Sequence, residues 1–508
     1  MMYDIDEMPP IGESLILALQ HVFAMFGATV LVPILVNAAI AASGVKGEAL
    51  SISVALVTAG LGTLIYIACT RAKSPVFLGS SFAFISPVAA AYIAGASKGG
   101  GVAGGLAGAM TGIMVIGIIY IIVSIIIKIA GKDWIDKVLP PIVIGPMIMI
   151  IGLGLASSAV GNIFDTSIKV KGIEWKGPVV ALITFLTASL VMTKAKGFFK
   201  IIPFLVGIVV GYIAACVLGL VNFDAIAKAA WFQVPSFHIP FVHYKPNILI
   251  ALTMAPIALV TMAEHIGDHK ALSTIIDKDL LKDPGLDNTL MGDGLATFVA
   301  GLLGGPANTT YGENTSVVGM TRNASVKVIG LAAVIAIILG FLGKFTALVQ
   351  TIPNPVLGGV CLLLYGFIAV NGLKVLIQNQ TDFSNSKNVV VASTMLVLGL
   401  GGAAISIVHG DLAVTISGMS LAAVIGILLN LFIPDDKEAV KEAVAANDEK
   451  YIQRSELKKI KNEIKTEIKA ELKNELKNEM KQDNNKNSKP KSEKPKENNK
   501  PNKTEKKK

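Results

Sequence analysis

Most of this 508-residue chain is a succession of apolar segments joined by short polar connections. A bilayer core about 30 Å thick needs roughly 20 apolar residues in a helix, and inside it the protein must satisfy every backbone polar group itself. The sequence therefore reads as an all-α polytopic membrane protein. Clear candidate spans are Ser14–Val36, Leu50–Cys69, Val102–Ile129, Val138–Val160, Pro178–Met192 and Ile201–Val221. Further on come Ile248–Ile276, Val328–Ile352, Pro355–Val370, Val389–Ile407 and Ala413–Ile433. Gly, Ser or Asn interrupts three more, Pro75–Ala96, Leu290–Leu303 and Pro306–Arg322, which brings the count to fourteen.

Pro306–Arg322 stands out among these. It is polar, rich in Gly and Thr, and carries the ionisable Glu313 between two apolar segments. Irregular backbone at membrane depth must line a cavity or be buried in protein, so a broken helix with a carboxylate is a binding-site hypothesis. Two of the three interrupted spans, Pro75–Ala96 and Pro306–Arg322, fall third and tenth, seven apart in a series of fourteen. An odd repeat length inverts the second half relative to the first. Matching interruptions in two halves point to an inverted-repeat transporter with its site near the midplane.

Charged residues make up only 16% of the chain, against roughly 25% in soluble domains. From Asp435 onward there are 22 basic and 16 acidic side chains, while the 434 residues before hold 23 and 20. The chain thus divides into an N-terminal segment (1–13), a transporter body (14–434) and a basic tail (435–508). With the N-terminus inside, fifteen basic residues of the body fall on the cytoplasmic side and eight outside. This asymmetry places both termini in the cytoplasm of a plasma-membrane protein. The exception is one longer loop, with Lys169, Lys171 and Lys176. The opening MMYDIDEMPPIGES lacks a basic n-region, so it is not read as a cleaved signal. Cys69, Cys216 and Cys361 lie far apart in apolar segments and read as small buried hydrophobes.

Within the tail, Ile460–Lys481 places an apolar residue at every fourth position. That period drifts about 40° per step around a helix, so no straight seam forms and a solvated helix is expected. Beyond Gln482 the Lys/Asn/Pro composition predicts disorder. Weak association with anionic lipid is the functional alternative. Nucleic-acid binding is not expected, because no aromatic residue is available from Ile460 onward to stack on bases.

Four acids lie in or beside the spans: Glu264, Asp268, Asp293 and Glu313. A carboxylate at the centre of a membrane helix costs roughly 2.5–3.5 kcal/mol on insertion scales, so unpaired passengers are uncommon. Glu264 and Asp268 are one helical turn apart on one face, an arrangement suited to carrying a proton. Asp293 reads equally as a solvated acid at a helix end. His265 and His269 have the spacing of a helical zinc pair, but Glu264 precedes the first histidine instead of following it and no third ligand is evident. Neither a metal nor a cofactor is expected. Near the third span, Leu78–Phe84 (LGSSFAF) permits non-helical backbone, and Phe82 offers a face to a flat ligand. Tyr365 is a phenol in an apolar span, and Gln20 and His21 are polar residues in another.

These motifs resemble the nucleobase–ascorbate transporter family, and within it the bacterial uracil permeases. Gln20-His21 with FAMFGATVLVP, FLGSSFAFISP, Ala263-Glu264-His265, the NTTYGEN run and the LLLYG segment match in order over roughly residues 10–435. The resemblance implies two inverted sevens, with segments 3 and 10 each a short strand and a half-helix. It implies a core domain (spans 1–4 and 8–11) and a gate domain (spans 5–7 and 12–14). Glu264 and Glu313 would hold the pyrimidine edge and Phe82 would stack on the ring. Backbone near Ala28, Ser81 and Gly312 would complete the bonding, and Tyr365 would reach in from the gate. Glu264 and Asp268 would couple protons, giving uracil:proton symport, with a homodimer among the assemblies the resemblance allows. Glu313 rather than Gln fits the uracil branch better than a purine or xanthine permease. The family pattern has Gly where Ser316 stands, and the uracil branch has His where Asp268 stands. A membrane-embedded enzyme finds no nucleophile or metal set here, and the paired interruptions disfavour a channel.

Overall fold

A computed structural model describes residues 1–164, 175–409, 412–434, 456–474 and 476–477. The chain packs as two separate units, Met1–Asp435 and Asp436–Lys508. In the second, residues 456–474 are helical and exposed; the stretch beyond Gln482 lies outside the described residues, as do Lys169 and Lys171.

The first unit begins with α1 (Ile11–Ala42), α2 (Ile52–Cys69), the short strand β1 (Leu78–Ser80), a 3₁₀ turn at Phe82–Phe84 and α3 (Ile85–Gly95). Then come α4 (Gly101–Ala130), α5 (Asp133–Val138), α6 (Pro141–Gly154), α7 (Ala156–Ile163), α8 (Lys176–Lys194), α9 (Pro203–Val217) and α10 (Asp224–Lys228). The second half holds α11 (Ile248–Ala251), α12 (Ile257–Ile276), α13 (Leu286–Leu303), strand β2 (Asn308–Thr310), α14 (Gly312–Thr321), α15 (Val326–Gly340) and α16 (Gly343–Gln350). It closes with α17 (Asn354–Gln378), α18 (Ser386–Leu400), the hairpin β3 (Ala404–His409) and β4 (Leu412–Ser417), and α19 (Gly418–Phe432). Proline at the first turn starts α6, α9 and α17, where a missing N–H costs nothing. Asn247, Ser325 and Asn385 cap α11, α15 and α18 with side-chain oxygens.

Among the described residues, six stretches are long and apolar enough to cross a bilayer: α1, α2, α4, the α6–α7 pair, α8 and α17. Several expected spans are interrupted. Ile248–Ile276 is two pieces bent by 43°, Ile248–Met254 and Ile257–Ile276, with Pro256 at the joint denying a backbone donor. Val328–Ile352 divides into α15 and α16 at Phe341–Leu342, and Val138–Val160 into α6 and α7 at Leu155. The largest departure is at Val389–Ile407 and Ala413–Ile433. Both run into the β3–β4 hairpin, whose AISIVH and LAVTIS strands are rich in β-branched residues. Hydropathy registers such residues as apolar but not their preference for extended backbone.

The helices pack in two groups. In one, α13 packs along α4 and α2, α15 along α2 and α1, and α3 against α4 and α1. In the other, α17 packs along α6, α7 and α8, with α9 on α8 and α18 on α6 and α19. At the α4–α13 crossing Gly117 and Gly294 face each other, and a Cβ on Gly294 would lie 2.9 Å from the Gly117 carbonyl oxygen. Close backbone approach of this kind gains dispersion contacts where no hydrophobic effect drives helices together. The N-terminal residues run beside the α14–α15 connection, with Ala324 N donating to Tyr3 O and Val326 N to Ile5 O.

Candidate functional site

The two polar interruptions meet each other. β1 and β2 pair antiparallel, with Leu78 opposite Thr310, Gly79 opposite Thr309 and Ser80 opposite Asn308. β2 leads across Tyr311 into α14, and β1 leads through the 3₁₀ turn at Phe82–Phe84 into α3; the first-turn N–H groups of a helix have no partner within it. Side chains lock the sheet to its surroundings. Leu78 N donates to Thr63 Oγ1 (2.9 Å), and the Asn308 amide donates to the Thr58 and Ala296 carbonyls (3.3 and 3.2 Å). The Tyr311 hydroxyl donates to Ser80 O at 2.9 Å and lies 3.1 Å from Thr29 Oγ1. Asn314 Nδ2 contacts both His21 Nδ1 and His21 O at 3.1 Å, bracing α14 against α1.

Beside the sheet lies a cavity of about 590 Å³. Phe23, Gly27 and Ala28 of α1 line it, with Asp268 and Ala271 of α12 and Gly312, Glu313 and Ser316 of α14. Phe204 of α9 and Leu364, Phe367 and Asn371 of α17 face them, and Lys200 and Lys374 also border the space. Asp268 is held there by Thr310, whose hydroxyl donates to Oδ2 at 2.6 Å. Ser316 fits a continuous helix, its hydroxyl donating back to Gly312 O at 3.0 Å, so the departure from Gly leaves the backbone of α14 regular.

Of the residues singled out from the sequence, Ala28, Asp268, Gly312 and Glu313 share this cavity. Glu264 is not among its lining residues but interacts electrostatically with both Asp268 and Glu313. Ser81 is buried just before the 3₁₀ turn, with its N–H bonded to Ala307 O. Phe82 borders a second, smaller cavity of about 210 Å³ and meets Tyr365 edge-on, ring centroids 6.4 Å apart. Tyr365 is itself buried in α17.

Asp293 is not the solvated helix-end acid that the sequence allowed. It lies within α13, fully buried, with Oδ2 2.9 Å from His265 Nδ1. His265 and His269, the spacing of a zinc pair, instead stack with centroids 4.1 Å apart. Sequence reading also missed Thr310, Tyr311 and Asn314 as individual contributors, although all three lie inside the polar interruption. A buried polar side chain needs a partner, and that requirement flags every hydroxyl and amide in such a stretch.

Residues 12–408 match a family model described as "Permease family". The uracil permease of Bacillus caldolyticus is 44% identical over 455 residues, spanning 88% of this chain and 98% of that protein. The uracil permease of Escherichia coli (strain K12) is 38% identical over 429 residues, spanning 84% and 92%. Among solved structures, the murine Solute Carrier 26 family member A9 anion transporter in its inward-facing state aligns with a TM-score of 0.60. That likeness covers 84% of this chain and 68% of the other at 12% identity, and is one of fold.

Proposed function

The chain belongs to the permease family, and from that premise we propose that it carries uracil into the cell in symport with protons. It is a multi-pass membrane transporter and not an enzyme. The observation that carries the reading is the convergence of Asp268 and Glu313 on one cavity at the head of α14. Uracil is a flat ring whose edge alternates N–H donors with carbonyl acceptors. Carboxylates accept from the former, and free N–H groups at a helix N-terminus donate to the latter. Glu313 and Glu264 hold that edge, with backbone at Ala28, Ser81 and Gly312 completing it. Phe82 supplies the stacking face and Tyr365 closes from the opposite helix group.

Uracil is neutral at neutral pH, so accumulation needs a coupled ion. Glu264 and Asp268, one turn apart and mutually interacting, are the proton carriers in this reading. The antiparallel pairing of breaks seven segments apart supports fourteen segments in two inverted repeats. The group containing α1 to α4 and α11 to α16 acts as the core, and the group containing α6 to α9 and α17 to α19 as the gate. The cavity takes walls from both, as alternating access requires. Lys200 and Lys374 belong to the side that charge asymmetry assigns to the cytoplasm, so this state opens inward.

The test is uptake of labelled uracil into proteoliposomes under an imposed proton gradient, with unlabelled pyrimidines and purines as competitors. Uptake abolished by a proton ionophore and blocked by unlabelled uracil is expected. Ionophore-insensitive uptake, or displacement by xanthine rather than uracil, overturns the assignment.

A further inference from the structure

Between Ile460 and Glu479 a four-residue unit, apolar–Lys–x–Glu, recurs five times: IKNE, IKTE, IKAE, LKNE, LKNE. Residues 456–474 are helical, so at about 100° per residue each unit presents an apolar side chain with a Lys on one flank and a Glu on the other. The third position, Asn, Thr or Ala, lies behind. A spacing of four makes each of these a ridge of the i±4n kind. Ile460, Ile464, Ile468 and Leu472 form the apolar ridge, and each is 49–53% exposed, so none of the described residues covers it.

The charges tell against a helix meant to stand alone. Lys461, Lys465, Lys469 and Lys473 repel one another along one flank, and Glu463, Glu467 and Glu471 along the other, since i,i+4 neighbours interact. Unlike charges lie two residues apart, on opposite sides of the helix, and among the described residues no ion pair lies along it. A self-supporting surface helix sets Glu four residues before Lys. From Lys461 onward this one sets like before like.

A second copy of the same helix answers both features. Two i±4n ridges interdigitate at a crossing angle of about −50°, which confines contact to roughly three apolar residues a side and needs no straight seam. With the crossing at Ile468, Ile464 and Leu472 stand about 40° to either side of it. Lys469 and Lys465 then lie roughly 100° and 60° round on one flank, with Glu467 and Glu471 at the mirror angles on the other. A two-fold axis parallel to the helices sets the Lys flank of each copy against the Glu flank of the other, on both sides of the contact. In an antiparallel pair the axis runs across the helices and sets Lys against Lys and Glu against Glu. Charge complementarity therefore selects the parallel pair. Membrane insertion favours the same direction, because two copies inserted alike send their tails out on one side.

We propose that the tail helix pairs in parallel with the same helix of a second copy of this chain, each Lys ridge against the other's Glu ridge, through a short crossing centred on Ile468. Confinement to one membrane raises the local concentration of the partner, so a contact this small can form. An anionic lipid surface is the poorer occupant. The five units carry five lysines and five glutamates, so such a surface attracts one ridge and repels the other.

The test uses the full-length chain in proteoliposomes, with Cys69, Cys216 and Cys361 replaced by Ala and Leu472→Cys as the single thiol. A short bis-maleimide should link two copies at position 472. An antiparallel pair would instead link Leu472→Cys to Ile464→Cys, and that result overturns the proposal. Lys465→Glu with Lys469→Glu makes both flanks acidic, and Glu467→Lys with Glu471→Lys makes both basic. Each pair of swaps alone should cut linking about tenfold or more, and mixing the two variants should restore it between unlike copies. Uracil uptake within about twofold of the unswapped chain confirms that the bodies are folded. If the cysteine-free body transports nothing, energy transfer between fluorescent proteins fused after Lys508 of the native chain reads the same swaps, with the same loss and restoration expected. Linking that is absent from the unswapped chain, survives either swap, or is no better in the mixture overturns the pairing. So does shielding of Leu472→Cys from a water-soluble maleimide by anionic lipid without linking, which assigns the helix to the lipid surface.

Discussion

Gly79→Ala strikes the joint between the two interruptions. Gly79 is the middle residue of β1, opposite Thr309. A Cβ there would lie 2.7 Å from the Tyr311 hydroxyl oxygen and closer still to its ring carbons. Tyr311 cannot yield freely: it is 4% exposed, and its hydroxyl joins Ser80 O to Thr29. Overpacking of this kind costs about 1–3 kcal/mol, and losing the two hydroxyl contacts adds about 1 kcal/mol each, for a total of roughly 3–5 kcal/mol. If only about 2 kcal/mol of that falls on the geometry of the bound state, uracil affinity drops roughly 30-fold. Calorimetric titration of purified protein with uracil reads the affinity, and a thermal melt reads the remainder. The second half of the experiment adds Tyr311→Ala, which removes the obstructing ring at its own cost of roughly 3–5 kcal/mol. In that background Gly79→Ala should cost almost nothing further, a coupling of about 3–5 kcal/mol, equal to its cost in the wild-type background. Wild-type affinity and melting in Gly79→Ala, or strict additivity in the double variant, would refute the close-contact argument.

Three further substitutions test separate parts of the site. Glu264→Gln should abolish proton-driven uptake while uracil exchange persists, and undiminished uptake would remove Glu264 from the coupling role. Glu313→Gln takes away a charged acceptor, worth about 1–3 kcal/mol, so uracil binding should weaken roughly tenfold to a hundredfold; unchanged affinity in a competition assay would remove it from the contact set. At the N-terminus, the Lys278 ammonium donating to both Asp4 oxygens (2.7 and 2.8 Å) holds that carboxyl below the ordinary carboxylate range. A carboxyl lowered on folding adds stability above its unfolded value of about 3.9, and that stability is lost as pH falls through the lower folded value. The pair is exposed, so Asp4→Asn should cost under about 1 kcal/mol in a thermal melt at neutral pH and nothing in strong acid or high salt; a larger loss, or one that survives acid, contradicts this.

The sequence made the site's location legible because membrane depth tolerates polar, Gly-rich backbone only where protein surrounds it. Leu78–Phe84 and Pro306–Arg322 could be found on that ground alone, and the one-turn spacing of Glu264 and Asp268 fixed a shared helix face. Other features could not be read from windows of sequence. The β3–β4 strands carry Ile, Val and Thr at densities that hydropathy scores as membrane helix, whereas their extended form depends on pairing across the hairpin. Asp293 sits in an apolar stretch whose buried face is decided by how α13 packs on α4 and α2. The Tyr66–His269 bond joins residues on α2 and α12, and the spacing of His265 and His269 pointed to metal chemistry instead. Backbone and polarity rules act locally, but the partner of a buried polar group is a tertiary fact.

The pairing of the two interruptions also constrains how such a site can move. A strand at membrane depth with an unpaired edge leaves N–H and C=O groups unsatisfied, a penalty of several kcal/mol for each. β1 and β2 answer that demand for each other. Separating them to admit or release substrate would expose both edges at once. The Thr310 hydroxyl extends the same rigid assembly to Asp268 on α12, and Asn314 extends it to His21 on α1. The acids, the helix N-termini and the strands therefore travel as one piece. In the proposed alternating access, what moves is therefore what faces them, the wall formed by Phe204 of α9 and Leu364 and Phe367 of α17. Phe204, Leu364 and Phe367 meet the acids across the cavity with apolar side chains, whose contacts can slide without leaving a polar group unpaired; Asn371 and Lys374 of α17 are the polar groups on that wall.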